Sequence, residues 1–417
     1  MNHLLLHVTA APIALGMAAT CSWAQCNYTV RLLAKAVTPQ CPTYQSPHGA
    51  ASINNFGIVS GYVSPCAGNA KPCLWNAQGE ISLISIPGQT SGYAWSIADD
   101  GTVVGDTYLG VQGYWFIWKA GIGGPVLYDC PKFILSNGIS AVPNGGVGGV
   151  YCALEDPAIR LHYKTPTGED IDISLQVSSR WTTQGSDAHP DGIVVGGIVA
   201  GSQNPNTRAF RWWNGLVTIL EATPGGYTSI GQGTNRWGDV VGQGRYHPPG
   251  WPRGDPVRAF AYIDGVMIDI GFIAPNFIAS WGQAINDLRQ VVGSTSNWSS
   301  IEVAEPTLWQ DGKLYNLNAL VVDPLLVSLE GAHEINDRGD IVGSGYYGGE
   351  YRQLVLEPIR ERVGDADLDC RVGMSDLQLV LRAWGTSYAY DHGPGDVTND
   401  SVVDARDLAW VLGDWDA

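Results

Sequence analysis

The sequence predicts an all-β seven-bladed β-propeller followed by a small all-α domain that binds calcium. Three observations carry this. A short phrase recurs seven times between residues 53 and 343, strand-like runs separate the copies, and an acidic twelve-residue loop is duplicated near the C-terminus. The expected organisation is a leader over 1–24, the propeller over 25–358 and the tail domain over 359–417.

The leader comes first. Met1-Asn2-His3 precedes an apolar stretch from Leu4 to Leu15, and Ser22-Trp23-Ala24 supplies the small-x-small pattern of a signal-peptide cleavage site. A lipid anchor at Cys21 fits poorly, because Thr20 stands where a small residue is wanted. The apolar stretch is shorter than the roughly 20 residues that span a bilayer. No later segment is apolar for longer, so the expected mature chain is secreted or held at a bacterial-type cell surface, with no transmembrane segment. In such a compartment disulfides are permitted. Cys26, Cys41, Cys66, Cys73, Cys130, Cys152 and Cys370 follow the leader. Near neighbours suggest 26–41, 66–73 and 130–152, with Cys370 left over; buried free thiols are the alternative.

Composition narrows the function. The net charge is −17, from 23 Lys and Arg against 40 Asp and Glu, which repels phosphate backbones and excludes a nucleic-acid partner. Charged residues are only 15% while there are 53 Gly and 16 Trp, so the chain is not disordered and fits short strands with Gly-rich turns.

The repeated phrase reads Ile335-Asn336-Asp337-Arg338-Gly339-Asp340-Ile341-Val342-Gly343. Copies begin at Ile53, Ile97 and Ile285, and weaker ones end at Gly149, Gly196 and Gly242. The final glycines fall at 61, 105, 149, 196, 242, 293 and 343, so the units differ in length by only a few residues. In each, Asn/Asp and Gly make a turn, a β-branched run makes a buried strand, an aromatic strand such as Phe210–Trp213 follows, and a short apolar piece such as Val217–Leu220 closes. Four strands in a unit of that size is one propeller blade, which must stack on neighbours to bury its faces. The seventh unit stops after Gln353–Leu356 without its last strand, and Tyr28–Leu33 is an orphan strand of the missing kind. Joining them closes the ring and removes two free edges.

Over roughly residues 50–356 these phrases resemble the extracellular HAF-repeat family. The resemblance implies an exported propeller-like array and carries no reaction or ligand with it. The chain departs from the family at Arg289, where Gly is expected, and through the third unit.

The tail has oxygen side chains at loop positions 1, 3, 5 and 12. They are Asp365, Asp367, Asp369 and Asp376 in the first loop, and Asp396, Thr398, Asp400 and Asp407 in the second. That is the spacing with which an EF-hand loop supplies six to eight oxygens to calcium; the carbonyls of Arg371 and Val402 would be the seventh-position ligands, for two Ca2+ ions in all. Val372 and Val403 at position 8 are expected to point inward and link the loops. Leu377, Val380, Leu381 and Trp384 after the first loop match Leu408, Val411, Leu412 and Trp415 after the second, one amphipathic stripe each. Residues 364–417 resemble a type I dockerin, which implies a cohesin-like partner read by Met374-Ser375 and Ala405-Arg406; a cell-envelope protein is the other partner expected. Cys370 and Ser401 replace the usual Gly at position 6, and Thr398 replaces Asn or Asp.

Catalytic patterns do not emerge. There is no Gly-x-Ser-x-Gly elbow, and His333-Glu334 lacks a second His at zincin spacing. His162, His189, His247 and His333 fall in different units, and the Asn-Asp turns read first as hairpin geometry, second as weak metal or sugar contacts. Trp115, Trp181, Trp237, Trp251 and Trp281 stand apart from the regular aromatic strand and are candidates for stacking on sugars. The expected function is therefore a non-catalytic interaction protein whose propeller recognises a glycan or a protein and whose tail docks it. The alternative is a carbohydrate-active enzyme acting on polysaccharide, and a third reading is an envelope component without a discrete ligand.

Overall fold

A computed structural model describes residues 26–416 except 37–47, 65–68, 111, 122, 131–138, 153–158, 166, 174–181, 200–206, 221–225, 247–255, 298–303, 361, 388–392 and 399. The expected leader lies outside the described residues. Among the described residues no helix is long and apolar enough to cross a membrane.

Seven four-stranded antiparallel sheets follow one another along the chain. Their first strands are β2 (His48–Ile53), β6 (Ser91–Ile97), β10 (Ile139–Val142), β14 (Thr182–His189), β18 (Ile230–Thr234), β22 (Ala279–Ile285) and β26 (Leu326–Ile335). Each first strand contacts the first strands of the neighbouring sheets, so these seven form the innermost ring of a propeller. Even the third unit, whose phrase is most eroded, builds a complete blade.

The ring closes as its strand count requires. β1 (Tyr28–Leu32) pairs antiparallel with β28 (Glu350–Pro358), from Tyr28 opposite Pro358 to Leu32 opposite Leu354, and so completes blade seven. Among the described residues the apolar core of the ring is divided into seven clusters, one at each seam between adjacent blades. At the closing seam Val342 and Val355 of blade seven pack with Val59, Cys73 and Trp75 of blade one. Blades six and seven share Val292, Leu308, Ile341 and Leu354 in the same way. A blade isolated from its neighbours would expose both faces, and that is why the array has to be a ring or a stack.

The signature's last glycine has a steric cause. A Cβ at Gly61, Gly105, Gly242 or Gly293 would lie 2.0–2.1 Å from a carbonyl oxygen of the first strand of its own blade. That close approach accompanies a β-bulge at the same place in six of the seven first strands. Arg289, where the phrase expects Gly, keeps the left-handed turn at φ 62. Its guanidinium reaches Asp239 (2.8 Å) and Asp264 (2.6 Å) of blade five, a contact that offsets the strain of a non-glycine residue there.

After the ring, α2 (Met374–Arg382) and α3 (Ala405–Gly413) each follow one acidic loop; α1 (Leu317–Leu320) is a single turn within the ring. Val372, Val380, Ala383, Val403 and Val411 form the core of this segment. The expected stripes are only half inward. Val380 and Val411 are fully buried, whereas Leu381 is 54% and Leu412 55% exposed, with Trp384 and Trp415 exposed beside them. Val372 and Val403 share the core but do not pair with each other: the Val372 carbonyl accepts from Asp416 N, and Val403 N donates to Thr386 O.

The cysteine pairing differs from the near-neighbour expectation. Cys26 bonds Cys370, and Cys73 is a buried free thiol, so neither 26–41 nor 66–73 forms. The cause is topological. Pairing of β1 with β28 brings the N-terminal segment against the start of the tail, where Ile359 N donates to Asn27 O, and Cys26 arrives beside Cys370. The side chains of Cys130 and Cys152 lie outside the described residues.

Candidate functional site

Each first strand runs into the turn that carries the signature Asn-Asp or its counterpart, and these turns crowd one mouth of the central channel. The Asn performs two tasks. Asn54 Oδ1 accepts from the amides of Phe56 and Ile58, which caps its own turn, while Nδ2 donates to Ala98 O of blade two (3.2 Å). Asn235 donates likewise to Asn286 O, Asn286 to Asn336 O and Asn336 to Asn54 O, at 2.9–3.1 Å. The next residue completes the link in the opposite sense. Asp287 accepts from Arg236 N, Asp337 from Asp287 N, Asn55 from Asp337 N and Asp99 from Asn55 N, all at 2.7–2.8 Å. The turns therefore do more than set hairpins: they stitch blades five, six, seven, one and two together.

At this mouth is a cavity of about 140 Å³. In five of the blades the residue two places before the signature Asn or its counterpart lines it: Ser52, Ser96 and Ser140, and the acids Asp187 and Glu334, with Ser140 donating to Asp187 at 2.8 Å. The β-bulge just before Ser52, Ser96, Asp187 and Glu334 aims them inward. Asp187 and Glu334 escape a linear reading, and the signal for them is the repeat alignment, where acids replace small residues at one position. Burial, then the charge of Asp187, holds Glu334 up to about 8. Burial also raises Asp99 to about 6 and lifts Asp187 and Asp287, while it lowers His189 to about 4. The cavity is thus rich in acceptors and in protonatable carboxyls, chemistry suited to a ligand with many hydroxyl or amino donors.

Of the Trp candidates, Trp115 is buried in a stack with Tyr128 and Trp281 is buried in the ring. Trp181 and Trp251 lie outside the described residues, as does His247. Trp237 is 38% exposed, with Nε1 donating to Asp287 O at 2.8 Å, so it stands at the rim of the cavity. His162 is paired with Asp170 inside blade three, His333 contacts Ser344, and among the described residues His189 alone of these joins the mouth.

In the tail, side-chain oxygens of Asp365, Asp367 and Asp376 come within 4.8 Å of one another, all from buried residues. Burial followed by the charge of Asp376 raises Asp365 to about 7 and Asp367 to about 8. An all-oxygen, all-acidic set of this kind has the donor chemistry of a hard divalent cation. The two loops fold alike. Asp365 accepts from the amides of Asp369 and Cys370, and Asp396 from those of Asp400 and Ser401; Asp369 accepts from Arg371 N and Asp400 from Val402 N. Asp376 accepts from Asp367 N, and Asp407 from both N and Oγ1 of Thr398. Cys370 and Ser401 both take φ near +65°, the strained position usually given to Gly.

No family model and no curated protein matches the chain. Among solved structures it is similar to the β-propeller domain of the Trilobed protease from Pyrococcus furiosus, at 9% identity and a TM-score of 0.51, over 75% of this chain and 95% of that one. That likeness shows the propeller fold. The Pyrococcus furiosus domain is described as an open velcro topology, whereas here β1 fastens to β28. Fainter likenesses are to a puromycin hydrolase (13% identity, TM-score 0.49, 79% of this chain and 55% of that one) and an acylaminoacyl peptidase from Pyrococcus horikoshii (11%, 0.45, 74% and 52%). The chain spans about half the length of each of these two.

Proposed function

We propose that this chain is an exported, non-catalytic recognition protein whose tail binds two calcium ions and docks onto a protein partner, while the axial mouth of the propeller binds a glycan. The observation that carries the reading is the tail: two loops with one hydrogen-bond pattern, the first with a converging carboxylate set, each followed by a helix that leaves a Leu and a Trp exposed. Paired exposed apolar residues on a small domain mark a protein-binding surface. Calcium would be held by Asp365, Asp367, Asp369, Asp376 and the Arg371 carbonyl in one loop, and by Asp396, Thr398, Asp400, Asp407 and the Val402 carbonyl in the other. This supports the dockerin-like reading, with a cohesin-like or cell-envelope protein as partner. The Cys26–Cys370 disulfide supports export, because such bonds persist in oxidising compartments. For the mouth, carboxylates beside an exposed Trp237 suit a sugar, whose hydroxyls donate and whose apolar face stacks on an indole.

A second role for the tail is favoured by its ties to the ring, the disulfide and a bond from Gln310 Nε2 to Asp367 O (2.8 Å): a cap on blades six and seven. One experiment separates the two. The full mature chain and its Leu381→Glu/Leu412→Glu variant are immobilised and presented with a type I cohesin and with solubilised envelope protein, with calcium and with chelator. Docking predicts capture that needs calcium and is lost in the variant. Capture of neither probe, with chelator lowering thermal stability, leaves the cap.

A further inference from the structure

We infer that the calcium of the first loop is shared with the propeller, through Asp311 of blade six, so that the ion is a clamp between the two parts of the chain. This rests on the calcium reading of the tail. Asp311 sits in the left-handed turn (φ 51) between β24 (Ala304–Gln310) and β25 (Lys313–Asn316). Its carboxylate forms a group with Asp367 and Asp369 in which the oxygens lie within 4.8 Å of one another. That group overlaps the Asp365, Asp367 and Asp376 set at Asp367, so the propeller carboxylate extends the loop's own ligand set.

The two loops also differ in the carboxylates they carry themselves. Position nine of an EF-hand loop supplies a ligand, often through water. In the second loop that position is Asp404; in the first it is Gly373, which has no side chain. Blade six brings a carboxylate to the loop that lacks one. Three contacts that do not involve Asp311 fix the placement. Gln310 donates to Asp367 O and is itself held by Gln290 (3.0 Å), Leu368 is buried against Gly339 of blade seven, and Cys370 is bonded to Cys26. A fifth carboxylate makes the first site the tighter of the two, since ligand charge sets affinity in such loops. It also makes calcium hold the tail to the ring.

The test is a calorimetric titration of the full oxidised chain with calcium alone, alongside Asp311→Asn and Asp311→Gly, both of which the left-handed turn accepts. An Asp396→Asn/Asp407→Asn variant identifies which transition belongs to the second loop. Wild type is expected to bind two ions, and both Asp311 variants to weaken the first-loop site by about tenfold or more while the other site is unchanged. Hydrogen exchange at residues 365–371 and 308–313 should rise on chelation in wild type. Two sites of wild-type affinity in both variants would overturn the shared ion and leave the calcium reading standing. A wild-type chain that binds no calcium would overturn both.

Discussion

Asn336 joins blade seven to blade one across the seam where the ring closes, and its removal tests whether the repeat phrase is a stitching device. Its Oδ1 accepts from the amides of Arg338 (3.1 Å) and Asp340 (2.8 Å); its Nδ2 donates to Asn54 O (2.9 Å) and to Asp340 Oδ2 (3.0 Å). The residue is 5% exposed and Asp340 3%, so water cannot easily take over. Asn336→Ala strips a buried carboxylate of a donor, at about 1.5–3 kcal/mol, and removes three further hydrogen bonds, to the amides of Arg338 and Asp340 and to the Asn54 carbonyl, which keeps Gly57 N, at about 0.5–1.5 kcal/mol each. Allowing for non-additivity, the expected loss is about 3–5 kcal/mol. Asn54→Ala is the internal comparison, because Asn54 makes the same turn and seam bonds but has no carboxylate partner among them. It should cost about 2–3 kcal/mol. Urea unfolding followed by tryptophan fluorescence gives both numbers. A loss under about 1 kcal/mol for Asn336→Ala, or a larger loss for Asn54→Ala, would show that the phrase matters only for its turn.

The remaining predictions concern pH and the crosslink. Because Glu334 is held up to about 8, the native state keeps a proton between about pH 4.5 and 8 that the unfolded chain has released, so stability falls as pH rises through that window, by at most about 1.4 kcal/mol per pH unit for this half-buried group. His189, lowered to about 4, acts in the opposite sense up to about pH 6.5. The net fall should therefore appear between pH 6.5 and 8 in melting temperature and shrink in Glu334→Gln, the remainder coming from Asp365 and Asp367, which burial holds up to about 7 and about 8; a wild type equally stable at both pH values would contradict it. Cys26→Ser/Cys370→Ser releases a crosslink spanning 344 residues and should cost about 2–5 kcal/mol. Its thermal melt should fall and the tail should become more accessible to protease; a melt within a degree of wild type would refute the estimate.

The ring was legible because its repeat is a physical necessity repeated seven times. The orphan strand Tyr28–Leu33 and the truncated seventh unit are complementary even in linear sequence, and β1 pairs with β28 accordingly. The signature Asn was readable as a turn residue but not as a seam bond, since its second partner lies in the next blade. Asp187 and Glu334 are visible only once the units are aligned, and a bulge decides that they face inward. The disulfide was misjudged because nearness along the chain says nothing about Cys26, which the ring carries back to residue 370. The outward Leu381 and Leu412 followed the helical spacing but fell on the edge of a core that Val380 and Val411 already fill. Asp311 and Asp367 are brought together only by the way the tail rests on blade six.

The duplicated acidic loops are proposed to bind calcium. Thermal unfolding of the oxidised full chain with calcium at about a hundred times its dissociation constant, against the same chain in chelator, measures it most directly. Binding to the folded state alone predicts a stabilisation of about 2.7 kcal/mol for each ion at that excess, seen as a higher melting temperature that scales with calcium concentration. Identical melts in calcium, magnesium and chelator would contradict it.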